Sequence, residues 1–326
     1  MELECHAVVP MRAHGVTEEH GFAVVDGARL AYVYHRPRES ARLRVIIIGP
    51  IGAERERAYR TLVDLSRALT HRGSEVFRYD HRGLGESEGE FDEATIGQWA
   101  EDARRVVQHL HAVAPLDRTT VLVGVRVGAL IASELFAEGC GDAAVFLGHG
   151  DGQTLLRDAS RRALVADLVQ GSLATAQSDE SSLVSPASLF AGYAAIAAGR
   201  EARVDGYLWK PRLIAEAAGH TFTTPNSSES RPWLHVDLRG SMLRASPAQS
   251  PTQATTQRTT HASDSSVQTS PVPPRHQDLN SNTAHRLVLH VPKFWESSPQ
   301  LVPEDACWFN ALGEWLDRVG TFNAVA

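Results

Sequence analysis

The chain has 326 residues, 43% hydrophobic and 22% charged, enough for one large α/β domain with a lid or for two small domains. Its formal net charge of −7 gives no electrostatic basis for nucleic acid as a partner. The acidic start Met1-Glu2-Leu3-Glu4-Cys5-His6 lacks the basic head and apolar stretch of a signal peptide, and the longest strongly apolar run, Val45-Ile46-Ile47-Ile48, is too short to span a bilayer.

Gly27 to Tyr34 reads as an edge strand ended by Arg36-Pro37, and Val45 to Ile48 as a strand buried on both faces of a parallel sheet. Ala58, Leu62, Leu65 and Leu69 recur at helical spacing before Gly73, and Ser74 to Tyr79 is the next strand. A second amphipathic helix carries Ile96, Trp99, Ala103, Val106, Val107 and Leu110. Thr120 to Val123 is a strand, followed at once by a helix with Ala129, Leu130, Leu135 and Phe136, then a strand over Ala143 to Leu147. This alternation with short links predicts right-handed crossovers and a mostly parallel sheet flanked by helices, a fold of the α/β class.

After Asp151 the pattern changes. Residues 151–230 read as Ala- and Leu-rich helices with no convincing strand, as expected of a helical lid inserted into a discontinuous core of 1–150 and 231–326. The sheet resumes at Trp233 to Asp237 and again at Leu287 to Val291. Between them, residues 246–284 are rich in Ser, Thr, Gln and Pro and are expected to be a disordered insertion, too poor in apolar surface to offset ordering. A last helix, Ala306 to Val319, presents Phe309, Leu312 and Leu316 to the sheet. Three scattered cysteines, Cys5, Cys140 and Cys307, have no metal-ligand spacing. They predict reduced thiols in a cytoplasmic protein, with Cys140 and Cys307 as small buried apolar residues.

Gly124-Val125-Arg126-Val127-Gly128 falls between a buried strand and an apolar helix, the setting of the G-x-S-x-G nucleophile elbow. Asp80-His81-Arg82-Gly83-Leu84-Gly85-Glu86-Ser87 follows a strand as a D-x-R-G-x-G-x-S turn, and Gly49-Pro50-Ile51-Gly52 follows the Val45–Ile48 strand at the place of an oxyanion loop. On these three motifs, in this order, the chain from about Gly27 to Leu147 with the last two strands and helix resembles the α/β-hydrolase superfamily, in its serine-aminopeptidase-like (Hydrolase_4) branch. Gly124 to Ala129, Asp205-Gly206-Tyr207 with Lys210-Pro211, and Val291-Pro292-Lys293-Phe294-Trp295 make it similar, more narrowly, to exosortase-system-associated hydrolases, some with Arg at the elbow. The superfamily resemblance implies a Ser nucleophile, an acid after the sixth or seventh strand and a His after the eighth. Here the Ser position is Arg126, the acid candidates are Asp237 and Asp151, and no histidine follows His290, which sits inside its predicted strand.

A guanidinium stays protonated at ordinary pH and cannot attack an acyl carbon, and the triad's chemistry needs a base within hydrogen-bond reach. An arginine at a helix N-terminus is disfavoured by the dipole and is expected to face an anion. Two readings of that anion stay open. One is an internal carboxylate, Asp151, Asp237, Asp80 or Glu54, and it is preferred. The other is a carboxylate or phosphate ligand held by Arg126 and the backbone N–H groups of Val127 and Ile51.

His149 with Asp151 offers an acid/base pair, although a flexible glycine turn from Gly148 to Gly152 explains the same residues. His81 reads as a turn residue, His235 and His290 as strand histidines, and Phe294-Trp295 as apolar packing against the lid. No metal spacing, G-x-G-x-x-G or Walker loop appears, so no cofactor or metal is expected. The preferred function is a degenerate hydrolase acting as a binding or accessory component, in a surface polysaccharide or protein-export setting on the strength of the narrower resemblance. Its rival is an esterase- or peptidase-like hydrolase with Asp151 or His149 activating water and Arg126 polarising the carbonyl. An interaction scaffold with a protein partner on the Ser/Thr-rich insertion ranks last.

Overall fold

The computed structural model describes residues 1–11, 16–113, 118–177, 191–225, 229–238, 284–289, 293–296 and 306–322. Its centre is a nine-stranded sheet in the order β1-β2-β3-β5-β4-β6-β7-β10-β11. The strands are β1 (Glu2–Met11), β2 (Val16–Val25), β3 (Ala28–Pro37), β4 (Leu43–Ile48), β5 (Glu75–Tyr79), β6 (Thr119–Val125), β7 (Ala143–Leu147), β10 (Trp233–Leu238) and β11 (Ala284–Leu289). From β5 to β11 every neighbouring pair is parallel, while β1, β2 and β3 are joined antiparallel to one another and to β5.

The alternation of side chains along each strand feeds two cores. In β4, Ile46 and Ile48 enter one face with α2 (Ile96–Ala112) and α3 (Val127–Ala137). Leu43, Val45 and Ile47 enter the other with α1 (Gly52–His71) and α7 (Ala306–Phe322). The N-terminal strands correct one expectation. The strand containing Gly27 to Tyr34 is interior, because β1 and β2 continue the sheet beyond it. Mixed polar residues such as Glu18, Glu19 and His20 concealed β2 from a search for apolar runs; Glu18 is buried nonetheless, because Arg67 pairs with it at 2.7 Å.

Between β7 and β10 lie α4 (Gly152–Gln177), α5 (Ala191–Ala197), an antiparallel hairpin of β8 (Ala202–Val204) and β9 (Tyr207–Trp209), and α6 (Pro211–Gly219). The hairpin overturns the expectation that this segment has no strand. Asp205 and Gly206 make its two-residue turn, both at positive φ (51° and 90°), the sequence type that such turns require. β11 begins at Ala284, the residue expected to end the preceding insertion, because its polar start pairs in register with β10. The rest of that insertion lies outside the described residues, as do His290, Val291 and Pro292. Among the described residues no helix is long and apolar enough to cross a membrane.

Candidate active site at the elbow

The turn after β6 forces its central residue into an unusual backbone. Arg126 has φ 58° and ψ −114°, a left-handed conformation that costs a non-glycine residue about 1–3 kcal/mol. Its flanking glycines are steric necessities. A Cβ on Gly124 would lie 2.4 Å from the Gly128 carbonyl oxygen, and one on Gly128 would lie 1.9 Å from that of Ile48. The sharp strand-to-helix turn therefore exists, with Arg126 at its apex and Val127 opening α3.

Arg126 is buried, and each nitrogen of its guanidinium is hydrogen-bonded. Its Nε and Nη2 donate to the two carboxylate oxygens of Glu54, each at 3.1 Å; Nη2 also donates to Asp158 at 2.5 Å, and Nη1 to the Gly148 carbonyl at 3.2 Å. Burial pushes its pKa down, but Glu54 and Asp158 outweigh burial and hold the group above the ordinary arginine range. Glu54 stands in the first turn of α1, where the helix dipole favours a carboxylate. Ile51 caps that helix, so the N-termini of α1 and α3 each bring a member of the pair.

Four further residues extend the network, and none was singled out as a site residue from the sequence. Arg162 donates to Glu54 at 2.9 Å and pairs with Asp205 at 3.0 Å, while Arg57 approaches Asp205 at 3.6 Å. Asp158 supplies the second carboxylate for Arg126. Asp158 and Arg162 are four apart on α4, a spacing that puts both on one helix face, so the pair was legible as a stripe once the helix was assigned. Asp205 appeared only as part of a short family motif. These residues line a cavity of about 590 Å³ beside the elbow.

Trp295, in the turn after β11 where the resemblance places a catalytic histidine, lies against the same cavity. The Arg126 guanidinium carbon is 5.8 Å from its ring centroid. Gly148, with φ 57°, permits this arrangement, since a Cβ there would fall 2.5 Å from the Trp295 ring. Phe294 and Trp295 are buried, and Phe294 stacks on Trp308 of α7 at 5.6 Å. Phe294 therefore packs on the last helix, which the chain brings back under the β11 turn, while Trp295 lines the cavity with α4.

The other candidates lie apart from Arg126. Asp151 accepts from the backbone N–H and hydroxyl of Thr154, both at 2.8 Å, and these bonds hold its pKa below the ordinary range. It caps the start of α4 and does not pair with His149, whose ring instead lies 4.1 Å from His235 and 4.7 Å from Phe222. Burial lowers the pKa of His149, and burial with the neighbouring His149 lowers that of His235 to about 4. Asp237 on β10 accepts from Arg286 at 3.2 Å. Of Asp151, Asp237, Asp80 and Glu54, Glu54 is the one at the side of Arg126; Asp80 instead takes a two-pronged bond from Arg55 at 2.9 and 2.5 Å.

His81 lies in the turn and is buried. Its Nε2 lies 3.0 Å from the Gly49 carbonyl and burial depresses its pKa. The turn it belongs to is fastened by Arg82 to Asp102 and by Ser87 to the Asp80 carbonyl, which explains the D-x-R-G-x-G-x-S pattern as structural. Cys140 is half-buried, and of Cys307 only the helical backbone is described. No group of three or more His, Cys, Asp or Glu among the described residues could hold a metal ion.

Residues 53–148 match the model of the Hydrolase_4 family (serine aminopeptidase, S33), a span that includes α1, the Asp80 turn and the elbow. No curated protein matches the sequence. Among solved structures, an esterase of Pyrococcus furiosus is similar over 97% of this chain and 96% of its own, at 15% identity and a TM-score of 0.50. Mouse α/β-hydrolase domain-containing protein 10 aligns over 92% of this chain and 99% of its own, at 13% identity and a TM-score of 0.49. With its parallel β5-β4-β6-β7-β10-β11 sheet and its glycine-flanked elbow, the chain has the α/β-hydrolase fold.

Proposed function

We propose that this α/β-hydrolase-fold protein is non-hydrolytic and keeps its active-site cavity as a binding site. The observation that carries the reading is the state of Arg126: the residue at the nucleophile position is a cation tied to Glu54 and Asp158. It has no proton to lose at ordinary pH and no electron pair to offer. Trp295, beside it, has an indole that can donate a hydrogen bond but cannot act as a base. In this reading 151–230 is the lid, and the pairs Arg126–Asp158, Glu54–Arg162 and Arg162–Asp205 hold it on the core. Placement in a reducing, cytoplasmic compartment is supported by the free thiols of Cys5 and Cys140. An accessory role in surface polysaccharide or protein export is supported by the short motifs shared with exosortase-associated hydrolases.

The rival hydrolase reading needs a base beside the elbow. Asp151 is committed to Thr154, and His149 is packed between Phe222 and His235 rather than along the Arg126 cavity. A panel of activated esters and aminoacyl amides, assayed with the full chain, tests the proposal. No turnover above the buffer rate is expected. Turnover that disappears in His149→Ala or Asp151→Asn would replace this reading with the hydrolytic one.

A further inference from the structure

The cavity beside Arg126 has a charge balance and a wall composition that specify what would fill it. Its guanidiniums are Arg57, Arg126, Arg161 and Arg162; the carboxylates facing them are Glu54, Asp158 and Asp205. Glu296, at the rim, is matched by Lys293 at 2.9 Å. Among the described residues, and with Lys293 counted although it does not line the cavity, one positive charge is left over, and the N-termini of α1 and α3 add to it.

The surplus can be placed. Arg126 hydrogen-bonds Glu54 and Asp158, and Arg162 hydrogen-bonds Glu54 and lies 3.0 Å from Asp205, whereas Arg57 reaches Asp205 at 3.6 Å and Arg161 reaches Asp158 at 4.0 Å, both beyond hydrogen-bond distance. Among the described residues these two have no other anionic partner, and their N–H donors can turn to a ligand. The remaining wall is apolar. Arg161, Val165 and Val169 follow one another at four-residue intervals on the same face of α4; both valines are more than half exposed, and Trp295 also lines the cavity. A volume of about 590 Å³ is in the roughly 300–1,000 Å³ range of small-molecule pockets.

We propose that the cavity binds a monoanionic amphiphile, a single carboxylate on an aliphatic chain. The head sits between Arg57 and Arg161, and the chain runs along Val165, Val169 and Trp295. The inference rests on the non-hydrolytic reading in that Arg126 is a fixed part of the cavity wall and the ligand is held without being cleaved. A single negative head matches the surplus; a chain without a charge leaves Arg57 and Arg161 unsatisfied, and a short acid leaves the valines wet.

Isothermal titration calorimetry of the full chain with octanoate, 1-octanol and acetate separates these contributions. Octanoate is expected to bind at least about tenfold more tightly than octanol, with no measurable heat from acetate. Arg161→Met, at a side chain that is 70% exposed and therefore compatible with folding, is expected to weaken octanoate about tenfold and leave octanol unchanged. Val169→Ser is expected to weaken both. Octanoate binding no tighter than octanol, or unaltered in Arg161→Met, overturns the assignment. Fluorophosphonate labelling of the same preparation keeps the two proposals apart. Labelling together with Arg161-dependent octanoate binding removes the non-hydrolytic reading and leaves the site; no labelling together with Arg161-independent binding does the reverse.

Discussion

Glu54→Gln perturbs the elbow at its most informative point. The substitution keeps the size of the side chain and removes the charge that accepts two hydrogen bonds from Arg126 and one from Arg162. The Glu54 and Arg126 side chains are 5% and 8% exposed, so solvent cannot replace the lost partner. Removing one partner of a buried ion pair costs about 3–5 kcal/mol. Asp158 remains on Arg126 at 2.5 Å and offsets part of this, so a loss of about 3 kcal/mol is expected. Urea unfolding of the wild type and the variant at pH 7.5 measures it. The double variant Arg126→Met/Glu54→Gln provides the control. With the cation gone as well, much of the lost stability is expected to return, giving a coupling energy of about 1–3 kcal/mol. A loss below about 1 kcal/mol in Glu54→Gln, or no coupling in the cycle, would refute the claim that Glu54 is the counter-charge that makes arginine tolerable at the elbow.

Gly128→Ala, which would push a Cβ to 1.9 Å from the Ile48 carbonyl oxygen, is expected to abolish soluble folded protein; Gly219→Ala, with open space around it, is expected to shift thermal unfolding little. The histidines give a pH dependence. Burial, with help from Arg78, lowers the pKa of His35 to about 3, against the opposing pull of Glu18. The unfolded chain then binds more protons than the folded one below pH ~6.5, so stability is complete above that value and declines as pH falls toward 3. Urea midpoints at pH 7.5 and 5.0 should differ in that direction, and by less in His35→Gln; a higher midpoint at pH 5.0 would contradict it. Arg162→Met removes the hydrogen bond to Glu54 and the ion pair with Asp205 and should speed proteolysis within 151–230 before global unfolding, read by limited trypsin digestion.

The parallel half of the fold was legible because its strands are apolar runs buried on both faces and its helices are amphipathic; both patterns follow directly from burial. β1 and β2 were not, since an outer antiparallel pair such as Glu2–Met11 and Val16–Val25 buries only part of its surface and mixes charges into the pattern. The hairpin at Ala202–Trp209 was too short for any periodicity, and only Asp205-Gly206 signalled its turn. At the site, electrostatics alone demanded an anion for Arg126 and brought Glu54 among the candidates. Asp158 and Arg162 share one face of α4, but Arg126, Glu54 and Asp205, with which they pair across the site, are more than 30 residues away in sequence, so the shared face alone did not single them out. The pairing of His149 with Asp151 rested on proximity in sequence, beside a glycine-turn reading of the same residues; in the structure Asp151 accepts from Thr154 at the start of α4, and the His149 ring packs on Phe222 and His235.

In the proposed function the elbow at Gly124 to Gly128 is present in form but carries no nucleophile. Intact-mass analysis after incubation with a fluorophosphonate probe tests it most directly, on the wild type and on Arg126→Ser side by side. No adduct is expected on the wild type. Little or none is expected on Arg126→Ser, because Trp295 rather than a histidine lies beside the restored hydroxyl. A stoichiometric adduct on the wild type would show a working nucleophile elsewhere in the cavity, and rapid labelling of Arg126→Ser would show that a base is within its reach; either result would contradict the account.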